Sequence, residues 1–252
     1  MTASLRALLA NLIDYAGLYP PAALPLAAVI ENYRRYLASP DGWILNRLVL
    51  PAAKLHEVRL GGDWRVTLLV DGEPGPLPHQ IEALETKAGG GLSLPTYCEV
   101  PLDQVAGGFA KVRTGGLTPD AIPSPSDLAD FLCESASRRL PFKATAGLHH
   151  PIRSDRRLTY AADSPRAVMH GFVNVFAAAA FAWHGMERNL VLDVLKETNA
   201  ASFEFGDEQL RWRGHQLTAP QIAQTRRYFA HSFGSCSFEE PLDDLRELGW
   251  LP

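Results

Sequence analysis

Two stretches of this chain nearly repeat each other: Gly108-Phe109-Ala110-Lys111-Val112-Arg113-Thr114-Gly115-Gly116 and Leu140-Pro141-Phe142-Lys143-Ala144-Thr145-Ala146-Gly147. Each reads as a short apolar strand with a lysine inside it, followed by Thr and then Gly. The span between them, 124–139, reads as a helix with Leu128, Phe131 and Leu132 turned inward, and its Ser-Pro-Ser-Asp start supplies a cap and a first-turn acid. Strand, helix and strand in this order predict neighbouring strands of a parallel sheet, with one site at their C-terminal ends. A cation inside a buried strand is costly unless it is paired, neutralised or used.

The rest of the chain alternates in the same way. Residues 14–19, 44–50, 65–70 and 94–100 are strand-like, and the third of these ends at the turn signal Asp71-Gly72. Helical stripes are expected from about residue 25, over 78–88 with Ile81 and Leu84 inward, over 187–198, after the cap Thr218, and over 239–248. The run Gly89-Gly90-Gly91 breaks the second of them. Beyond Lys143 the period blurs. Residues 149–164 read as a basic loop, and 165–183 as one apolar helix or as a helix flanking a strand at 172–176. Residues 201–205 and 209–213 read as a hairpin, and 234–237 as a loop. Seven strands with helices mostly between them, and no linker or repeat, predict one α/β domain over 1–252. The expected architecture is a (β/α)8 TIM-like barrel, irregular in its C-terminal third, since such a barrel typically takes roughly 250 residues. An open parallel sheet is the alternative.

The bulk numbers narrow the function. The chain is 46% hydrophobic and 21% charged, with a net charge of −4. No basic surplus points to nucleic acid, and no cationic run or apolar span points to a membrane. Leu5, Leu8, Leu9, Leu12 and Ile13 recur at helical spacing with Asn11 and Asp14 among them, which does not read as a signal peptide. Three scattered cysteines, Cys98, Cys133 and Cys236, read as free thiols in a reducing cytoplasm. A homo-oligomer is left open, and no cofactor is called for.

Alternation along a strand puts Lys111 and Arg113 on one face, and Lys143 and Thr145 on another. If both faces point into the barrel, two ammonium groups and a guanidinium converge. Repulsion and burial then lower a lysine's pKa, so that it can attack a carbonyl and form a Schiff base. Thr114, Gly115, Gly116 and Gly147 offer backbone N–H groups to a phosphate or carboxylate, or form plain tight turns. His149 and His150 follow the second lysine strand; one of the pair is expected to enter the site, as acid/base or anion contact. His149 or His150 with His170 and a carboxylate would serve a metal-dependent enzyme, although no metal-ligand spacing is present. Asp14, Asp71 and Glu99 lie near predicted strand ends as proton carriers, with Glu99 the leading one. The arginines at 153, 156 and 157 are a solvated face or a lid over an anionic substrate.

Ala110-Lys111-Val112-Arg113-Thr114-Gly115-Gly116 and Phe142-Lys143-Ala144-Thr145-Ala146-Gly147 resemble the consecutive lysine strands of class I aldolases of the deoxyribose-phosphate aldolase type. The resemblance covers about forty residues. It implies a lyase in which Lys111 forms the imine, Lys143 tunes it, and Gly115, Gly116 and Gly147 lie near an anion. Arg113 stands where that family has a small hydroxyl residue, and Glu99 stands roughly where its catalytic aspartate lies. The stretches 143–151 and 234–238 also resemble segments of a bacterial protein family without an assigned activity. The function expected is therefore carbon–carbon cleavage of a small anionic carbonyl compound. The competing readings are a metal-dependent barrel enzyme and a non-catalytic anion-binding protein.

Overall fold

The computed structural model describes residues 1–87, 94–104 and 108–252. Seven parallel strands run in sequence order around a barrel: β1 (Ile13–Tyr15), β2 (Leu45–Pro51), β3 (Val66–Leu69), β4 (Ile81–Thr86), β5 (Thr96–Glu99), β6 (Phe109–Arg113) and β7 (Phe142–Thr145). Five strands lie outside it. β8 (Ser154–Arg157) and β9 (Arg166–Met169) form a hairpin, and β10 (Phe203–Phe205), β11 (Gln209–Trp212) and β12 (His215–Thr218) form an antiparallel sheet. The eighth barrel strand is β13 (Ala230–Ser235), which pairs with β7 on one side and with β1 on the other, Ile13 against Phe233, and so closes the sheet. The expected barrel is present, and its irregularity after β7 takes the form of the hairpin and the small sheet.

The helices are α1 (Ala3–Leu9), α2 (Leu26–Leu37), α3 (Pro125–Ser137), α4 (Phe172–Trp183), α5 (Arg188–Lys196), α6 (Ala219–Tyr228) and α7 (Glu239–Glu247). Their starts are written locally. The Ser124 hydroxyl accepts from the Asp127 N–H, and Thr218 and Gln221 form a reciprocal capping box, each with proline in the first turn. Residues 172–176, ambiguous in sequence, are helical. Every residue of α4 from Phe172 to Phe181 is buried, as expected of a helix that is apolar all round.

The outward face of β7 shows what holds this side together. Phe142 meets Phe131 edge-on at 5.6 Å, Phe229 at 5.1 Å and Phe176 at 6.3 Å between ring centroids. Burying one such ring stabilises the fold by about 1.5–3 kcal/mol. At the β1–β13 seam the Arg226 guanidinium donates to the carbonyls of Leu8, Ala10, Asn11, Ala230 and His231, stitching the two chain ends to each other.

Three expectations need correcting. Residues 81–86 are strand β4, not part of a helix over 78–88; Gly89-Gly90-Gly91 lies outside the described residues. The cause is a β-bulge. Val66 pairs with Ile81 but Thr67 pairs with Ala83, so Glu82 is an extra residue and the alternation skips a step. Ile81 and Leu84 then recur at a spacing of three, which imitates a helix. Residues 230–235 are strand β13, where the sequence predicts 234–235 in a loop. His231, Ser232, Gly234 and Ser235, none of them apolar side chains, hide the strand pattern. Residues 154–169, read as part of a basic loop and an apolar helix, form the β8–β9 hairpin. No helix among the described residues is long and apolar enough to cross a membrane.

Candidate active site

A chain of alternating charges fills the barrel interior. Lys111 and Lys143 are register partners on β6 and β7. Lys143 Nζ donates to Asp14 Oδ2 of β1 and to Glu85 Oε1 of β4, each at 2.5 Å. The second oxygen of Glu85 takes Lys111 Nζ at 2.8 Å. Lys111 also reaches Glu99 Oε2 of β5 at 3.2 Å, and Glu99 Oε1 accepts from Arg113 Nε at 2.8 Å. Asp14, Lys143, Glu85, Lys111, Glu99 and Arg113 thus follow one another, sign after sign. Asp14 is completed by Asn46 Nδ2 at 2.6 Å, the Arg47 N–H at 3.3 Å and Ser232 Oγ at 2.8 Å. Exposure rises along the chain: the Lys143 side chain is 1% exposed, Lys111 12% and Arg113 58%.

Electrostatics follow from this order. Burial alone would push both Asp14 and Glu85 up, but Lys143, with Arg47 for the first and Lys111 for the second, holds them below the usual carboxylate range. Glu99 is lowered as well, because Arg113 and Lys111 outweigh its partial burial. Lys143 runs against expectation. Burial would lower its pKa, yet the charges of Asp14 and Glu85 and its hydrogen bonds to them raise it above that of a free lysine. The two amines do not face each other bare, because the Glu85 carboxylate stands between them. Lys143 is therefore a fixed cation. The Lys143 ammonium also lies 5.6 Å from the Tyr97 ring centroid, and the Tyr97 hydroxyl is 2.7 Å from His231 Nδ1. Burial, with Arg226 and Arg47, pushes His231 down to about 4, so its ring is neutral and one hydrogen bond joins it to Tyr97.

Of the residues proposed from sequence, the fold brings Lys111, Lys143, Glu99 and Arg113 together. Asp14, weighed as a proton carrier, touches Lys143. Glu85, which touches both lysines, was hidden by the bulge that made β4 look helical. An acid inside the apolar run Ile81-Glu82-Ala83-Leu84-Glu85-Thr86 is the same anomaly as a lysine inside its strand, and that signal would have found it. Asp71 is exposed after β3 and takes no part in this chain. Thr145 faces inward, with Gly234 of β13 as its register partner.

The glycine loops after β6 and β7 pack on each other. Gly147 has φ +79°, and a Cβ there would lie 2.6 Å from the Gly115 Cα. A Cβ on Gly116 would meet the Ala121 side chain at 2.6 Å. Thr114 is buried, and its hydroxyl donates to the Ala146 carbonyl at 2.6 Å. Close backbone contact accounts for these small residues without an anion.

The histidines are elsewhere. His149 Nδ1 lies 3.0 Å from Glu240 Oε2 and His150 Nδ1 2.6 Å from Asp244 Oδ2, both on α7. His170 is buried, with Nε2 2.9 Å from the Pro123 carbonyl; burial pushes it down to about 4, so the neutral ring donates there. His149 and His150 share one cleft, with ring centroids 6.5 Å apart, and His170 does not line it. Among the described residues no group of three His, Cys, Asp or Glu side chains is arranged to hold a metal ion. Cys98, Cys133 and Cys236 form no disulfide among the described residues.

Two further features border the charge chain. Tyr19, in the loop after β1, has a buried hydroxyl with no hydrogen-bond partner among the described residues. Burial and the Glu85 charge push it up to about 12, so it stays protonated. A cleft of about 430 Å³ opens between the loops that follow β5 and β6, with Glu99, Arg113 and Asp120 in its walls. Comparison with protein-family models, with curated proteins and with solved structures finds no match to this chain.

Proposed function

We propose that this protein is a lyase of the class I aldolase type, in which Lys111 forms an imine with a small anionic carbonyl compound. One observation carries the reading. Two register-paired lysines share one buried carboxylate, and only the Lys111 side chain has access to solvent. A nucleophilic amine must be reachable and must shed a proton. Lys143, clamped at 2.5 Å by two carboxylates, does neither. Lys111 has a carboxylate on each side to take its proton, Glu85 and Glu99.

The neutral Lys111 amine attacks the carbonyl carbon to give a carbinolamine. Proton return from Glu85 or Glu99 releases the carbonyl oxygen as water and leaves an iminium ion. A carboxylate then removes the proton from a hydroxyl on the carbon two bonds from the iminium carbon. The carbon–carbon bond breaks, its electron pair passes into an enamine, and an aldehyde departs. Protonation of the enamine carbon and hydrolysis of the imine free the second product and Lys111. Lys143 supplies a fixed positive charge that keeps Glu85 ionised as a base. Arg113, exposed at the cleft, suits the anionic group of the substrate, and the Tyr19 hydroxyl is a donor for a substrate oxygen. His149, paired with Glu240, has no step in this sequence.

The test is borohydride reduction in the presence of small phosphorylated or carboxylated aldehydes and ketones, followed by peptide mass spectrometry. A reduced adduct on Lys111, absent in Lys111→Met, is the expected result. No adduct with any of these compounds, or adducts spread over surface lysines, would remove the proposal.

A further inference from the structure

We propose that the cleft between the β8–β9 hairpin and α7 is a binding site for a phosphate-type anion, with Arg156 and Arg157 as its ligand-binding cations. This goes beyond the Lys111 chemistry and does not depend on it. The hairpin lies between β7 and α4, in the part of the chain that forms the C-terminal face of the barrel, and barrel closure does not need it. β8 alternates half-buried and exposed residues, so it has no apolar face, and two-stranded hairpins are marginal by themselves. Buried Leu158 and Met169 anchor it, and polar ties add to them. The Tyr160 hydroxyl donates to Glu240 Oε2 at 3.3 Å, and the Arg153 N–H donates to Asn174 Oδ1 at 2.9 Å.

What these ties enclose is a cleft of about 360 Å³, at the small end of the range for small-molecule sites, roughly 300–1,000 Å³. Arg156, Arg157, Arg166, His149 and His150 are in its walls, against one carboxylate, Glu240. That carboxylate is already engaged by His149 and Tyr160. Arg166 is held by Asp155, with Nη2 on its carbonyl at 2.8 Å. The nearest carboxylate to Arg156 is Asp244, at 3.8 Å, and that oxygen already has His150 at 2.6 Å. Arg157 is exposed, and its guanidinium group has no hydrogen-bond or ion-pair partner among the described residues. Two guanidinium groups therefore retain free donors toward one concave space. Planar guanidinium forks match phosphate oxygens in pairs, which a scatter of surface charges does not.

The site is tested by titrating inorganic phosphate into the full chain by calorimetry, with chloride holding the ionic strength constant. Saturable binding is expected. It should weaken about tenfold or more in Arg156→Ala/Arg157→Ala, the loss expected for one or two charge-assisted hydrogen bonds. Arg211→Ala, which removes one such charge from the exposed face of β11, should bind as the parent does. Arg157→Gln alone, at an exposed position, repeats the test where the double variant melts early. No saturable binding, or equal weakening by Arg211→Ala, overturns the site. Borohydride trapping with phosphate present separates the two sources of such an anion. Loss of the Lys111 adduct identifies the substrate's own phosphate, and an unchanged adduct identifies a separate ligand. If Lys111 never forms an adduct, the imine reading fails and the phosphate titration still stands.

Discussion

Strands β6 and β7 lie side by side, Lys111 against Lys143, and nearly the same residues surround each lysine in the sequence. Their settings differ sharply. Lys143 points where β1 and β4 supply two carboxylates at 2.5 Å and leave it 1% exposed. Lys111 shares one of those carboxylates, meets a weaker partner at 3.2 Å, and keeps a path to solvent. One lysine is locked as a charge while the other can be used. The lesson is that a charge inside a strand acquires its role from the strands opposite. Desolvation penalises both ammonium groups, each faces two carboxylates, and the distance and burial of those carboxylates decide which one recovers the cost.

The comparison breaks most visibly by removing the locked cation. Lys143→Met leaves Asp14 and Glu85 buried with less compensation and should cost about 3–5 kcal/mol, the scale for breaking a buried ion pair, measured by urea unfolding near neutral pH. The sign with pH is fixed. Asp14 and Glu85 are lowered from 3.8 and 4.5, so their contribution is present above those values and is lost as pH falls. Lys143 is raised from 10.5, so its contribution is present below that value and is lost as pH climbs past it. The stability gap between parent and Lys143→Met should therefore be widest between about 5 and 10 and shrink on both sides, where the pKa shifts run out. A gap independent of pH would mean that Lys143 acts by packing alone. Adding Asp14→Asn to Lys143→Met should recover part of the loss.

A smaller effect sharpens the comparison at the loops. Gly147→Ala forces a Cβ into the left-handed region and against Gly115, and should cost about 1–3 kcal/mol in the same assay. Lys111→Met should cost less, about 1–2 kcal/mol, because Glu85 keeps Lys143, while borohydride trapping is abolished. Equal destabilisation by the two lysine substitutions would erase the distinction drawn here. Arg113→Ala, with its side chain 58% exposed, should change stability by less than about 1 kcal/mol. Its effect should instead appear as a raised KM for anionic substrates with kcat little changed.

The lysine strands were readable because each carries a local contradiction, a cation in an apolar run. The helix between them was readable because Ser124 and Pro125 announce its start. Glu85 carries the same contradiction, yet the extra residue at Glu82 altered the spacing around it and gave β4 a helical look. β13 escaped for the opposite reason. His231, Ser232, Gly234 and Ser235 carry no apolar alternation, and Ser232 serves Asp14 in place of the core. Thr114, Gly115 and Gly147 had two readings in sequence, anion loop or tight turn. The contact between the loops is long-range, and it supplies a sufficient packing reason for all three.

Sequence alone determined the alternation of strands and helices, the adjacency of the two lysine strands and the presence of charges inside them, because spacing, caps and turn residues act over a few positions. Only the tertiary structure decided that Lys143 is clamped, that Lys111 is accessible, and that Glu85 rather than Glu99 joins them. Those facts depend on β1, β4 and β13 meeting across a closed barrel. Partners as far apart as Asp14 and Lys143 leave no periodic trace in the chain, since their interaction exists only once the sheet has closed and water has left its interior.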